Sequence, residues 1–267
     1  RYDLADLQTT GDGSVIVSFV RSRGISGAKH LYANKISPSG QLLWGQAHVK
    51  VFDAGSLQQG NFPHFVLDGQ GGAVFAWYSV APQMQVYAQH IQANGSPAFA
   101  VNGVPVSTNL QQARVAPSMS YQPLTGETTL FWAELDNAVE QRRRGLYAQK
   151  LDARGARQWG ETGRAIQPLA LQDIAHLRTV AVTDGTLAFW VQAVSGQHDT
   201  IQGIKLDTTG NTLCPQFAVS TRPSSKSRLV TGASAGRTLV AWEDQSQQQG
   251  SDIYLQSVAA DCRLSAR

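Results

Sequence analysis

The feature that most constrains this chain is a repeat. An apolar, β-rich run ending on a large aromatic recurs five times, as "SVIVSF", "GAVFAW", "TTLFW", "TLAFW" and "TLVAW". The aromatics are Phe19, Trp77, Trp132, Trp190 and Trp242, spaced 52 to 58 residues apart through the 267-residue chain. A period of that length marks an array of supersecondary units, each too small to bury a hydrophobic face alone.

Other landmarks keep step with the anchors. Tyr32, Tyr87, Tyr147, Gln202 and Tyr254 open a further strand-like run in each repeat. Eight residues later stand Gly40, Gly95, Gly155, Gly210 and Cys262, and four beyond those Trp44, Phe99, Trp159, Cys214 and Ala266. All six tryptophans thus fall on two repeat positions. Short runs ahead of the anchors, such as "HFVLDG" and "LRTVAV", and after the fourth landmark, such as "WGETGRAI", supply two more strands. No helical periodicity intervenes. The expected fold is all-β, a five-bladed β-propeller of four-stranded antiparallel blades. It occupies residues 1–267 as a single domain, with repeats at about 1–53, 54–108, 109–167, 168–221 and 222–267. Phe19, Trp77, Trp132, Trp190, Trp242, Trp44 and Trp159 are then structural aromatics packed between neighbouring blades.

The stretch "DGQGGAVFAW…VYAQHIQANG" resembles a propeller repeat found in secreted bacterial proteins. That pattern runs glycine-glycine, an apolar segment, Ala-Trp, Tyr-Ala-Gln, Asp-x-x-Gly and a further Trp. Repeats two and three match best, the latter with "LYAQKLDARGARQW"; repeat four loses its tyrosine and repeat five its glycine turn. The resemblance covers nearly the whole chain and implies a fold, since such repeats accompany many activities. "GQGG" is accordingly a tight turn, because a strand follows it where a phosphate-binding loop needs a helix.

Composition narrows the partners. The net charge of +3 is mild and the charged fraction of 15% low, with Arg142-Arg143-Arg144 the only basic run. A nucleic-acid binder concentrates its charge on one face, so none is expected. No apolar run reaches the length of a membrane-spanning helix, so no membrane insertion is expected either. Low charge with abundant Gln, Ser and Thr suits a secreted or cell-surface protein, extracellular or periplasmic. The start at Arg1 reads as a mature or excised part of a larger parent chain, whose other domains would be partners. Cys214 and Cys262 each replace a repeat landmark, and a disulfide between them ties the last two repeats; two buried thiols are the alternative.

In a four-stranded blade, the second-to-third-strand loops and the crossovers to the next blade share one face. The variable segments, such as "VRSRGISGAKH", "YSVAPQMQ", "AELDNAVEQRRRG", "VQAVSGQHDT" and "EDQSQQQGSD", fall there, and ligand binding is expected on it. The crossovers repeat a Leu-Gln-Gln motif, making Gln58, Gln59, Gln111, Gln112, Gln172 and Asp173 the candidate ligand-binding residues. Amides suit glycan hydroxyls or peptide backbone, and equally suit local backbone groups that need partners. The carboxylates Asp3, Asp6, Asp68, Glu134, Asp136, Asp173, Asp184, Glu243 and Asp244 form no cluster in sequence. The six histidines lack metal-ligand spacing, and no nucleophile elbow is present. The expectation is a non-catalytic extracellular binding or interaction module for a protein or glycan, with no cofactor, no metal and no catalytic residues. The alternatives are a lectin built on the crossover glutamines, or a propeller glycoside hydrolase using axial carboxylates such as Asp6, Glu134 and Asp244.

Overall fold

The structure is a computed structural model that describes residues 1–22, 24, 26–136, 141–194, 196–234, 236–246 and 250–265. Parts of four variable loops (23, 25, 137–140, 195 and 247–249) and the landmark Ala266 lie outside the described residues. Those described form strands, turns and bends, with no helix.

The strands group by repeat. The first sheet runs β1 (Tyr2–Thr9), β2 (Val15–Ser22), β3 (Lys29–Ile36) and β4 (Val49–Phe52) in spatial order. In the second, β7 (Ala73–Ala81), β8 (Gln85–Ile91) and β9 (Val104–Pro105) follow an inner strand cut in two, β5 (Ser56–Leu57) and β6 (Phe65–Leu67). The third is β10 (Ala113–Gln122), β11 (Glu127–Leu135), β12 (Arg143–Leu151) and β13 (Arg164–Leu171). The fourth is β14 (Asp173–Val182), β15 (Gly185–Ala193), β16 (Thr200–Asp207) and β17 (Thr212–Ser220). The fifth holds β18 (Ser225–Ser234), β19 (Arg237–Ser246) and β20 (Gly250–Val258). The chain packs as two compact units. One comprises residues 1–117, 121–128 and 149–163; the other comprises 118–120, 129–148 and 164–267.

The repeat landmarks are demands of the backbone. Gly40, Gly95, Gly155 and Gly210 have φ between 82° and 85°, a left-handed conformation that glycine adopts without steric cost. Each N–H closes the turn onto the carbonyl three residues back, at 2.8–3.0 Å. Cys262 holds the same place with φ 66° and the same bond to Ala259. The glutamine of Tyr-Ala-Gln reads the next turn: Gln89 Nε2 donates to the Ala100 carbonyl while its Oε1 accepts from the Phe99 N–H. Gln149 does the same with Gly160 and Trp159, and Asn34 with Gly45 and Trp44. The signature amide therefore pins the fourth landmark against strand three.

The anchors lie within their strands rather than at the end, because each strand continues three or four residues beyond its anchor. Trp77, Trp132 and Trp190 have no exposed surface. Each anchor stacks on the tyrosine paired opposite it, as Phe19 on Tyr32, Trp77 on Tyr87, Trp132 on Tyr147 and Trp242 on Tyr254, with centroids 5.9–6.3 Å apart. Trp190 faces Gln202 instead. In the first unit Trp77 also packs on Phe52 of the preceding repeat. In the second, Trp242 shares a core with Phe189, Ile201 and Val219 of the fourth sheet.

Candidate functional site

Two of the carboxylates are brought together by an irregularity. Along β1 the pairing runs Asp3 to Val20 and Leu4 to Phe19, then slips so that Asp6 meets Ser18. Ala5 is the extra residue of a β-bulge. Without it, positions three apart point to opposite faces; with it, Asp3 and Asp6 share the face of Val20 and Ser18. Their partners are two residues apart, so the two positions stand about 7 Å apart along the strand.

A cleft lies beside Asp3. The inner strand of the second repeat breaks between β5 and β6, where Pro63 has no N–H to give a ladder. The intervening loop turns at Gly60, with φ 78°, and Asn61 N–H closes it onto the Gln58 carbonyl. Gln58 to Phe62 line one wall of a cleft of about 160 Å³; Arg1, Asp3, Val20, Ser22, Gly24 and Lys29 line the rest. Gln58 Oε1 accepts the Tyr78 hydroxyl. Asp3 is bound by the Arg1 guanidinium at 2.9 Å.

Asp6 sits at the inner edge of the same unit. Its carboxylate accepts the N–H groups of Leu7 and Phe65 and the Gln8 amide at 2.8–3.1 Å, with His64 Nδ1 at 3.5 Å. Burial by itself would raise its pKa, but the bonds from His64, Gln8, Phe65 and Leu7 outweigh it and bring the group down to about 2. Asp6 is thus an ionised carboxylate on a rigid strand, with an exposed imidazole beside it.

The other carboxylates have structural duties. The Trp132 indole N–H donates to Glu134, and the Trp242 indole N–H to Asp244 at 3.1 Å. Both acids are 1% exposed, and Asp244 also pairs with Arg222 and Lys226. They hold anchors in place, so the hydrolase alternative loses Glu134 and Asp244 as axial acids. Asp68 and Asp184 belong to a recurring pair between the one–two turn and strand three: Lys35 with Asp12, His90 with Asp68, Lys150 with Glu127 and Lys205 with Asp184, all at 2.7–2.9 Å.

The crossover glutamines divide. Gln58 and Gln59 reach the cleft. Gln112 accepts the Asn109 amide, and the Gln111 N–H bonds the Asn109 side chain. Gln172 donates to the Arg144 carbonyl and accepts from Gln192, while Asp173 pairs with Arg144 at 3.0 Å. Sequence reading did not single out His64 or Tyr78; Pro63, at the break in the inner strand, is the only local sign of the first. Cys214 and Cys262 form a disulfide. Among the described residues no group of three or more His, Cys, Asp or Glu is placed to hold a metal ion, and no helix is long and apolar enough to cross a membrane.

No family model and no curated protein matches the chain. Solved structures do, at low identity. A polysaccharide lyase, Uly1, matches with TM-score 0.54 and 10% identity over 95% of this chain, which spans 57% of the lyase's length. A thermostable family-43 glycoside hydrolase matches with TM-score 0.51 and 8% identity over 99% of this chain and 93% of its own. An endo-arabinase from Bacteroides thetaiotaomicron VPI-5482 gives 0.50 and 13% over 95% and 93%.

These likenesses overturn the expectation of a non-catalytic binding module. The folds that this chain resembles belong to a lyase and to glycoside hydrolases, and they favour the hydrolase alternative. The carboxylates look scattered in sequence, and the register slip at Ala5 puts Asp3 and Asp6 on one face.

Proposed function

We propose that this chain is a secreted glycoside hydrolase built as a five-bladed β-propeller, with Asp6 and Asp3 as its catalytic carboxylates. The observation that carries the reading is their shared face on β1, on which Asp3 lines a cleft. Hydrolysis of a glycosidic bond needs one carboxylate that stays ionised and one that delivers a proton, on either side of the scissile bond. Asp6, held low by its hydrogen bonds, takes the first role and activates water. Asp3, on the cleft wall beside Arg1, takes the second. Gln58 and Gln59, which line the cleft, meet sugar hydroxyls. The five sheets support the blade count, and the disulfide supports an oxidising, extracellular setting.

The test is release of reducing sugar from a panel of polysaccharides that includes arabinan, by the wild type and by Asp6→Asn and Asp3→Asn. The reading expects turnover that falls by about 10³-fold or more in each variant, with substrate still bound. Turnover that survives both substitutions, or none on any polysaccharide, removes it.

A further inference from the structure

In the second unit, β14 and β18 repeat one irregularity. Their pairing slips between Ala175 and Arg178 and between Ser227 and Val230. Inside each slip one residue takes positive φ, His176 at 52° and Arg228 at 51°. Bulges of this kind re-aim side chains, and non-glycine residues hold such angles at a cost of about 1–3 kcal/mol. Here they turn out a histidine and an arginine, the latter with its side chain 82% exposed.

Arg178 stands two residues from His176 and differs from the other cations around it. Its guanidinium is half-buried, and Nη1 donates to the adjacent Leu177 carbonyl at 2.8 Å. Among the described residues it meets no carboxylate, and the nearby acids are engaged elsewhere. Asp173 pairs with Arg144, Asp199 accepts the Lys226 N–H, and Asp244 holds Arg222 and Lys226. Glu243 is taken by Arg228 at 3.3 Å and by Ser251. A guanidinium offers five donors in a planar fork that matches a carboxylate or sulfate with two parallel bonds. The nitrogens of Arg178 that Leu177 does not use are open to solvent, where an anion can take the place of water with charge-assisted bonds.

We infer that Arg178, on a strand whose bulge presents His176 and which neighbours β18 with its bulge residue Arg228, is a subsite for the acidic group of a charged glycan, a sugar carboxylate or sulfate. The inference rests on the glycan-acting reading above and names its substrate class. It also gives the chain's +3 charge a local purpose.

The experiment is retardation in native gels cast with polygalacturonate, its carboxyl-reduced form, dextran sulfate or neutral arabinan. Wild type is expected to be slowed by an acidic polymer and at least fivefold less by its neutral counterpart. Arg178→Gln should lose at least fivefold in apparent affinity and keep the wild-type melting curve. Arg228→Gln, on an exposed side chain, guards against a misfolded first variant and should weaken retention by two- to fivefold. Arg154→Gln removes the same charge from an exposed turn and should change nothing. Slowing by dextran sulfate alone, dependent on Arg178, identifies sulfate as the group. Equal retention by acidic and neutral polymers, or an equal loss in the Arg154 variant, overturns the subsite. Binding is read without turnover, so the two readings separate. Asp6-dependent hydrolysis of arabinan without acidic preference removes only the subsite, whereas Arg178-dependent retention without hydrolysis of any polymer removes only the hydrolase.

Discussion

Cys214 and Cys262 occupy the two repeat positions that elsewhere hold an aromatic ring against a glycine of the next repeat. In the first unit Trp44 packs on Gly95 and Phe99 on Gly155, so closely that a Cβ on either glycine would lie about 3 Å from the ring. The fourth repeat has Cys214 in the ring position and the fifth has Cys262 in the glycine position, and the two are bonded. The disulfide is a covalent version of the contact that joins earlier repeats. It closes a loop of 48 residues, which in the chain-entropy model contributes about 4 kcal/mol. The double variant Cys214→Ala/Cys262→Ala should melt about 10 °C lower by calorimetry. Reductant should lower the wild type by a similar amount and leave the variant unmoved.

The glycines test the same contact without sulfur. Gly40 and Gly155 have nearly the same φ, 82° and 85°, but nothing lies within 4 Å of a Cβ on Gly40, while one on Gly155 meets Phe99 at 2.9 Å. Gly40→Ala should cost only the left-handed conformation, about 1 kcal/mol. Gly155→Ala adds displacement of a packed ring and should cost about 3 kcal/mol in denaturant midpoint. Equal losses would mean that the ring moves aside freely.

The contrast also shows which parts of this molecule the sequence displays. A left-handed turn demands glycine, and a buried amide that reads a turn demands Gln or Asn, so Gly95 and Gln89 recur at fixed spacing. The bulge at Ala5 carries no such mark: alanine has no preference that announces an extra residue, and the slip is set by pairing with Phe19 and Ser18. Glu134 and Asp244 each stand two residues past their anchors, Trp132 and Trp242. That their partners are the anchors' own indole N–H groups depends on burial, which spacing does not report.

That burial separates stability from catalysis. Asp244 lies among Trp242, Arg222 and Lys226, and removing its charge leaves a fully buried ammonium without its counter-ion. Asp244→Asn should destabilise by about 3–5 kcal/mol, read as a lowered midpoint in urea. Turnover per folded molecule should stay near wild type. A selective loss of turnover in a stable Asp244→Asn protein would return this residue to the catalytic candidates.

Asp6 makes a prediction in acid. Its folded pKa, about 2, lies below the ordinary carboxylate value of 3.8, so folding favours its ionised form. The stabilisation is complete above about pH 4 and is lost as pH falls through 2. Its size is on the order of 1–2 kcal/mol once solvent screening is allowed for. Between pH 4 and 2 the wild type should lose that much more stability than Asp6→Asn. The acidic limb of the pH–rate profile should likewise fall well below pH 4; a limb at the ordinary carboxylate value would mean that another group supplies the base.

With Asp3 and Asp6 as the proposed acid and base, the spacing of their positions on β1 predicts an inverting outcome. Their positions stand about 7 Å apart along β1. Enzymes that invert the anomeric centre keep their two carboxyl groups about 6.5–9.5 Å apart to admit a water, whereas retaining enzymes need about 5–5.5 Å for direct attack. The bulge is what sets this distance, since Asp6 pairs with Ser18 and Asp3 with Val20, two residues along β2. Proton NMR of the first-formed product should therefore show the inverted anomer, with the other growing only at the rate of mutarotation. A retained anomer would remove Asp3 and Asp6 as an inverting acid and base.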